Sequence, residues 1–146
     1  MTNSCLICDR IRLIQEHNNP YFVKELTTGF VVVGDNQFYR GLTLFLSKVH
    51  QSELHLLDRK FRDQFLSEMA DVAEAVFKAF KPRKLNYELL GNKDEHLHWW
   101  LIPRYLDDPN PTQPIWAMDK NLIFGNDTKV NGTEIEELRQ MILHEL

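Results

Sequence analysis

The segment that most constrains the fold is residues 58–80, which predict one long helix with a single apolar face. Bulky apolar side chains recur there at spacings of three and four, namely Phe61, Phe65, Met69, Val72, Val76 and Phe80. Asp58 can cap the start of this helix, and Pro82 ends it. Because such a face must be buried against another layer, we expect these aromatic side chains to form core.

The partner layer is predicted to be a β-sheet. Short β-rich runs flank the helix, and they predict five strands at Tyr21–Leu26, Phe30–Gly34, Leu42–Leu46, Leu85–Leu90 and His96–Ile102. A hairpin is expected at Thr28 and Gly29, and Pro103 is expected to end the fifth strand. Strands clustered around one long helix indicate an α+β fold with an antiparallel sheet.

The two ends of the chain carry weaker signals. Residues 5–18 resemble a short polar helix or coil, and residues 107–120 a loop. Thr133 and Glu136 form a capping-box pattern, which predicts a C-terminal helix. The chain has 146 residues and no repeat or linker, so we expect one domain over residues 1–146.

Charge and hydropathy restrict the partners. The formal net charge is −4 without a dense lysine and arginine stripe, which argues against a nucleic acid polymer but not against a single nucleotide. No apolar run approaches the roughly 18–20 residues of a membrane span, and the first ten residues lack the pattern of a secretion signal. We therefore expect a cytoplasmic protein that does not bind membranes.

The segment His96–Arg104 carries the most chemical information. Because successive strand residues point to opposite faces, one face is expected to pack on the long helix through Leu97, Trp99 and Leu101. The other face presents the imidazoles of His96 and His98, a pairing that is unusual as packing. Imidazole has an ordinary pKa near 6.5, so at pH 7 it is largely neutral and can attack phosphorus.

Cys5 and Cys8 are the only cysteines, and they lie three positions apart. A disulfide across so short a loop would stabilise little, and a thioredoxin-like role requires a βαβ context. Close Cys-x-x-Cys pairs commonly mark metal sites, whereas two buried small residues are the simpler alternative. Two thiolates alone leave a tetrahedral zinc ion two ligands short.

The run His-Leu-His-Trp-Trp-Leu-Ile-Pro-Arg resembles the histidine triad (HIT) signature, His-x-His-x-His followed by two apolar residues and often Pro-Arg. The resemblance extends from the Cys-x-x-Cys start through Arg40–Thr43 and Lys48–His50 to Arg104. Residues 85–92 resemble one bacterial subgroup, and the galactose-1-phosphate uridylyltransferases are more distantly similar. The resemblance implies a five-stranded antiparallel sheet, a homodimer and a nucleotide bound across the histidine strand.

HIT proteins hydrolyse or transfer nucleoside monophosphates from dinucleoside polyphosphates or nucleoside phosphoramidates. The resemblance implies that His98, the middle histidine, is the nucleophile and forms a nucleotidyl-histidine intermediate. It also implies that Asn92 donates a hydrogen bond to phosphate and that Asp35 or Asn36 lies near the ribose. Asn86, in the stretch that resembles the bacterial subgroup, is expected to contact the substrate as well.

The resemblance also implies the missing zinc ligands. Some bacterial members and the uridylyltransferases bind zinc through Cys-x-x-Cys, a histidine after the third strand and the first histidine of the signature. These positions match Cys5, Cys8, His50 and His96, and two thiolates with two imidazoles suit a closed, structural zinc site. The remaining histidines match nothing in the pattern and are expected at the surface: His17, His55 and His144.

Two positions depart from the family pattern. Trp100 stands where the third histidine belongs, and Leu42 where many members place another active-site histidine. Indole cannot accept a hydrogen bond or titrate, so we expect Trp100 to stack on the substrate or fill the pocket. The departures leave two alternatives to catalysis, a nucleotide-binding module with weak or lost activity and a zinc-held scaffold for protein partners.

Overall fold

The computed structural model of the protein describes residues 4–146 and contains a five-stranded antiparallel sheet in the order β1-β2-β3-β5-β4. The predicted α+β fold is therefore confirmed. The strands and helices, in chain order, are α1 (Leu6–Gln15), β1 (Phe22–Glu25), β2 (Gly29–Val33), β3 (Thr43–Ser47), α2 (Arg59–Phe80), β4 (Lys84–Glu88), β5 (His98–Arg104), α3 (Lys120–Phe124) and α4 (Gly132–Glu145).

Helix α2 packs on one face of the sheet, as the apolar spacing predicted. The Asp58 carboxylate accepts a hydrogen bond from the backbone N–H of Phe61 at 3.2 Å and so caps the helix. Phe65 and Val72 are fully buried in a core that includes Leu101 of β5. Helix α4 contributes to the same core, and Leu97 and Trp99 pack into it as expected.

Helix α1 covers part of the opposite face of the sheet. Its inner side, formed by Ile7, Ile11 and Ile14, packs with Phe30 and Leu46. The expectation of a polar helix or coil was incomplete, because these isoleucines are spaced by four and three residues and form an apolar stripe. The stripe brings the N-terminal segment against β2 and β3.

Strand β5 begins and ends two residues later than predicted. His96 precedes the strand, and Pro103 lies within it, paired with Leu85 of β4. Pairing with β3 stops at Leu101, so Pro103 lies where β5 has a sheet neighbour on one side only. Proline is tolerated at such edge-like positions because its missing N–H removes no bond to a second neighbour.

The C-terminal third has more regular structure than predicted. The segment expected to be a loop contains a short 3-10 helix at Ile115–Ala117, and α3 begins at its end. Helix α4 is capped by Asn131, whose side-chain oxygen accepts the N–H of Glu134 at 3.0 Å, so the predicted capping box at Thr133 was wrong. Within residues 4–146, no helix has the length and hydropathy needed to span a membrane.

Candidate functional site

His98, the first residue of β5, lies where two cavities meet. Its Nδ1 is 2.6 Å from the carbonyl oxygen of His96. Because a carbonyl oxygen only accepts hydrogen bonds, Nδ1 is the protonated nitrogen, and the lone pair of the neutral ring is on Nε2. The ring is 7% exposed but lines both cavities, so it combines a fixed tautomer with access to a ligand.

The first cavity has a volume of about 320 Å³ and lies between α1 and the ends of β2 and β3. Leu6 and Arg10 line it from the helix, and Asp35 and Asn36 line it from the loop after β2. The Arg10 guanidinium binds both oxygens of the Asp35 carboxylate, at 2.8 and 2.6 Å. This two-point contact fixes the direction of a carboxylate at the cavity wall.

The Asn36 side chain, unlike that of Asp35, is hydrogen-bonded to a segment near the C-terminus. Its side-chain Nδ2 donates hydrogen bonds to the carbonyl of Gly125 and the hydroxyl of Thr128, both at 2.9 Å. These contacts tie the loop after β2 to the segment that follows α3. Asn36 therefore lines the first cavity while joining two parts of the chain that are 89 residues apart.

The second cavity, of about 570 Å³, lies on the other side of His98. Asn92 lines it, and the contact of this amide with a substrate phosphate stays a prediction. Further lining comes from Lys93 and from α3 through Lys120 and Phe124. Both cavities have volumes typical of small-molecule sites.

Trp100 lines both cavities and belongs to an aromatic cluster. Its ring centroid is 6.5 Å from that of His98 and 5.9 Å from those of Trp116 and Phe124. Sequence reasoning missed Trp116, because residues 107–120 were expected to form a loop, and it made no prediction for Phe124. A tryptophan in a polar, proline-rich segment was the one available signal.

Asn86 and Leu42, which the sequence analysis singled out, contribute no polar group to the two cavities that contain His98. The Asn86 side-chain oxygen accepts a hydrogen bond from Arg104 at 2.9 Å, and Asn86 lines neither cavity that contains His98. Leu42 lines the first cavity but supplies only an apolar surface. The structure therefore brings together His98, Trp100, Asn92, Asp35 and Asn36, and it leaves Asn86 outside.

The four residues predicted to bind zinc converge on one point. One ligand atom from each of Cys5, Cys8, His50 and His96 lies within 4.8 Å of the others. The Sγ of Cys8 is 3.3 Å from Nδ1 of His50 and 3.4 Å from Nδ1 of His96. Tetrahedral zinc with bonds of about 2.1 Å to nitrogen and 2.3 Å to sulfur separates such atoms by about 3.6 Å, so the cluster could hold a metal ion.

The protonation of His96 suits metal binding. Its Nε2 donates to the carbonyl oxygen of Ser47 at 2.7 Å, which leaves the Nδ1 lone pair facing the sulfur atoms. Burial lowers the pKa of His96 and keeps the ring neutral. Burial, followed by the hydrogen bond and charge of Cys5, raises the pKa of the Cys8 thiol to about 11. A coordinated cation would reverse that effect.

The remaining histidines lie away from both sites. His17, His55 and His144 are exposed, as expected. The two histidines that precede and begin β5 are instead buried. His17, His55 and His144 thus lie outside both sites, whereas His50, which is also exposed, belongs to the cluster with the cysteine sulfur atoms.

A five-stranded antiparallel sheet with paired histidines at the start of an inner strand is the architecture of the histidine triad proteins. A sequence model of the HIT domain matches residues 17–107, and the chain belongs to this family, which comprises nucleotide-binding hydrolases and transferases. Comparison with curated proteins finds no match.

Solved structures of histidine triad proteins share the fold. One from Bradyrhizobium japonicum has a TM-score of 0.74 at 22% identity, covering 85% of this chain and 88% of that one. A hypothetical histidine triad nucleotide-binding protein from Sulfolobus tokodaii gives 0.71 at 19% identity, with 94% and 91% covered. A zinc-bound family member from Mycobacterium smegmatis gives 0.65 at 17% identity, with 97% and 94% covered.

Proposed function

We propose that the protein is a nucleotidyl hydrolase or transferase that forms a covalent nucleotidyl-histidine on His98. Its substrates would be nucleoside phosphoramidates or dinucleoside polyphosphates. The observation that carries this proposal is the His98 ring itself, with Nδ1 bound to the His96 carbonyl and Nε2 left with its lone pair beside two cavities. Membership of the HIT family supports the reaction class.

In the first step the Nε2 lone pair forms a bond to phosphorus, and the bond from phosphorus to the leaving nitrogen or oxygen breaks. The leaving group departs with the bonding electrons and takes up one proton from solvent. Nδ1 keeps its proton and donates a hydrogen bond to the His96 carbonyl oxygen, and this bond stabilises the positive charge that the ring acquires. One difficult displacement thus becomes two easier ones.

In the second step water, or another acceptor in a transferase, attacks the same phosphorus atom. The bond between phosphorus and Nε2 breaks, and the neutral imidazole is restored. The attacking water releases one proton, which balances the proton taken up by the leaving group. Trp100 cannot shuttle either proton, because indole has no basic site.

The nucleoside is assigned to the first cavity. Leu6, Val32 and Leu44 offer apolar walls to a base, and the oriented Asp35 carboxylate can accept hydrogen bonds from ribose hydroxyls. Asn92 lies on the other side of His98, where its amide can donate to phosphate. In this proposal the phosphorus atom lies beside the imidazole of His98.

We also propose that zinc occupies the Cys5, Cys8, His50 and His96 cluster. The set contains two sulfur and two nitrogen donors, which would fill a tetrahedral coordination sphere and leave no position for a substrate. The proposed role is structural, because the ion would hold the start of α1, and therefore a wall of the first cavity, beside β5. The zinc-bound relative from Mycobacterium smegmatis supports this proposal.

The test is to trap the intermediate. Protein mixed with adenosine 5′-phosphoramidate is quenched in neutral denaturant, and the intact protein is weighed by mass spectrometry. We expect a transient mass increase of one adenylyl group that is located on His98 and is absent in His98→Ala. The variant His55→Ala, which changes an exposed histidine, is the matched control and should retain the adduct. Turnover by His98→Ala at the wild-type rate would refute the proposal.

Trp100 favours a second candidate, a module that binds nucleotides without turning them over. This module would show nucleotide-induced thermal stabilisation, no adduct and no release of nucleoside monophosphate. The mass measurement separates the two candidates directly. If the wild type is inert and Trp100→His restores turnover, the binding module is the correct assignment.

A further inference from the structure

We propose that the second cavity is a leaving-group subsite that selects a neutral, planar aromatic group. This inference rests on the proposed function, because it identifies the group that His98 displaces. The subsite consists of Trp100, Trp116 and Phe124 together with a set of charged residues at the rim. Its best substrates would be nucleoside phosphoramidates of amines that carry an aromatic ring, such as 2-phenylethylamine, here called aromatic amines.

The position of His98 indicates which part of the substrate the second cavity would bind. The phosphorus atom that Nε2 attacks carries both the nucleoside and the leaving group. If the nucleoside occupies the first cavity, beside Asp35, the leaving group must extend into the second, which the same imidazole also lines. Trp100 and Phe124 also line both cavities, so the two halves of the substrate would meet beside these rings.

Trp116 provides an oriented aromatic surface in this cavity. Its ring is 42% exposed, although a large apolar side chain gains little from facing water. The indole N–H donates to the Glu88 carboxylate at 2.8 Å, which fixes the direction of the ring. Phe124 stacks on it, with ring centroids 5.7 Å apart and planes inclined by 29°. Such a supported ring is ready to stack on another planar group.

The charges around the cavity favour a neutral ligand. Lys93 and Lys120 line it, but so do Glu88 and Asp94, and the two pairs offset one another. A polyphosphate chain would require an excess of cations, whereas an aromatic amine requires an apolar surface. We therefore assign the subsite to aromatic amines rather than to the far nucleotide of a dinucleoside polyphosphate.

The experiment compares two adenosine 5′-phosphoramidates, one of 2-phenylethylamine and one of 2-cyclohexylethylamine. Both have the same kind of phosphorus–nitrogen bond and a similar apolar bulk, but only the first carries a planar ring. We expect wild-type kcat/KM to favour the phenyl compound by about three- to tenfold, the range of an aromatic pair. Trp116→Leu should bring this ratio close to one. Phe77→Leu, which alters an exposed aromatic residue on α2, is the matched control and should leave the ratio unchanged.

Binding measurements test the subsite independently of catalysis. Dissociation constants of the same two compounds are measured by calorimetry on His98→Ala and on His98→Ala combined with Trp116→Leu. If the wild-type protein turns over neither compound but the phenyl preference appears in binding and is lost with Trp116→Leu, the proposed reaction fails and the subsite stands. Equal kcat/KM and equal affinity for both compounds would overturn the subsite while leaving the reaction intact. Failure of both compounds to bind would overturn both proposals.

Discussion

His96 and His98 are only two residues apart, yet the two ends of this short segment meet opposite surroundings. Both ring nitrogens of His96 have partners, the Ser47 carbonyl on one side and the cysteine sulfur atoms on the other. His98 is tied at Nδ1 alone, and its ring lines two cavities. An imidazole thus belongs to a closed cluster of possible ligand atoms at His96 and to an open site at His98.

The difference shows that the neighbours of each nitrogen, rather than burial alone, distinguish the proposed metal ligand from the proposed nucleophile. Both imidazoles are less than a tenth exposed. A backbone carbonyl fixes the tautomer of each ring, but it binds Nε2 in His96 and Nδ1 in His98. The free lone pair consequently points toward sulfur ligands in one case and remains for a substrate in the other.

The largest expected effect is a loss of turnover at the site around His98, with the proposed zinc cluster left intact. His98→Ala removes the proposed nucleophile, and we expect turnover to fall by at least about 10⁴-fold, as for removal of other enzymatic nucleophiles. Zinc content and melting temperature should stay close to those of the wild type, because the ring contributes no ligand to the cluster. Steady-state release of nucleoside monophosphate, metal analysis and thermal unfolding check the three statements together.

The next largest effect is a loss of zinc and of stability when a residue of the closed cluster is replaced. Cys5→Ser removes one sulfur ligand but keeps an N-cap for α1, since serine accepts the Cys8 N–H as the Cys5 sulfur does. We expect loss of bound zinc and a decrease of about 3 kcal/mol in the free energy of unfolding, because metal binding is linked to folding. Elemental analysis and denaturant unfolding measure both. Full zinc content in this variant would show that the cluster is not the metal site.

A third substitution asks whether the open site lacks an acid–base group. Trp100→His introduces an imidazole that can donate, accept and titrate, and we expect turnover of a phosphoramidate with a simple alkylamine to rise by about 10–100-fold. Trp100→Phe removes the indole N–H without adding such a group and should give no increase. Equal rates for the two variants would mean that a histidine at this position has no acid–base role in this protein.

The smallest expected effect concerns residues 108–113, which precede the aromatic residue Trp116 in the site around His98. Buried Arg104 binds the Asp108 carboxylate at 2.5 Å and the carbonyls of Asn110 and Gln113 at 2.6 and 2.7 Å. Burial acts to raise the pKa of Asp108, but hydrogen bonds from Arg104 and the Asn110 backbone outweigh it and hold that pKa below 3.8. The ionised carboxylate therefore stabilises the fold above the ordinary pKa, and this stabilisation is lost as pH falls through the lowered value.

We accordingly expect Asp108→Asn to lower the free energy of unfolding by about 2 kcal/mol at pH 7. The gap between wild type and variant should shrink as pH falls below the ordinary pKa of an aspartate, where the unfolded chain takes up the proton, and then through the lowered pKa of Asp108 in the folded protein. Urea unfolding at several pH values measures this difference. A gap that does not change with pH would show that the charge of Asp108 contributes nothing to stability.

The sequence predicted the closed cluster more completely than the open site. Cys5 and Cys8 are close in the chain, and the resemblance to the HIT family added His50 and His96. Polar substrate contacts were harder to predict, because the direction of a side chain depends on its neighbours. Asn86 illustrates this difficulty, since Arg104 draws its side-chain oxygen away from the cavities.

The sequence alone determined the elements whose signal is local. The period of apolar residues in α2, the alternation along β5 and the Cys-x-x-Cys spacing of Cys5 and Cys8 each lie within a short stretch, so each can be read without a fold. Tertiary structure decided which nitrogen of His96 is free, because Nε2 meets the carbonyl of Ser47, and it brought Trp116 and Phe124 to Trp100. Those features depend on contacts between distant segments, and no short stretch of sequence encodes such contacts.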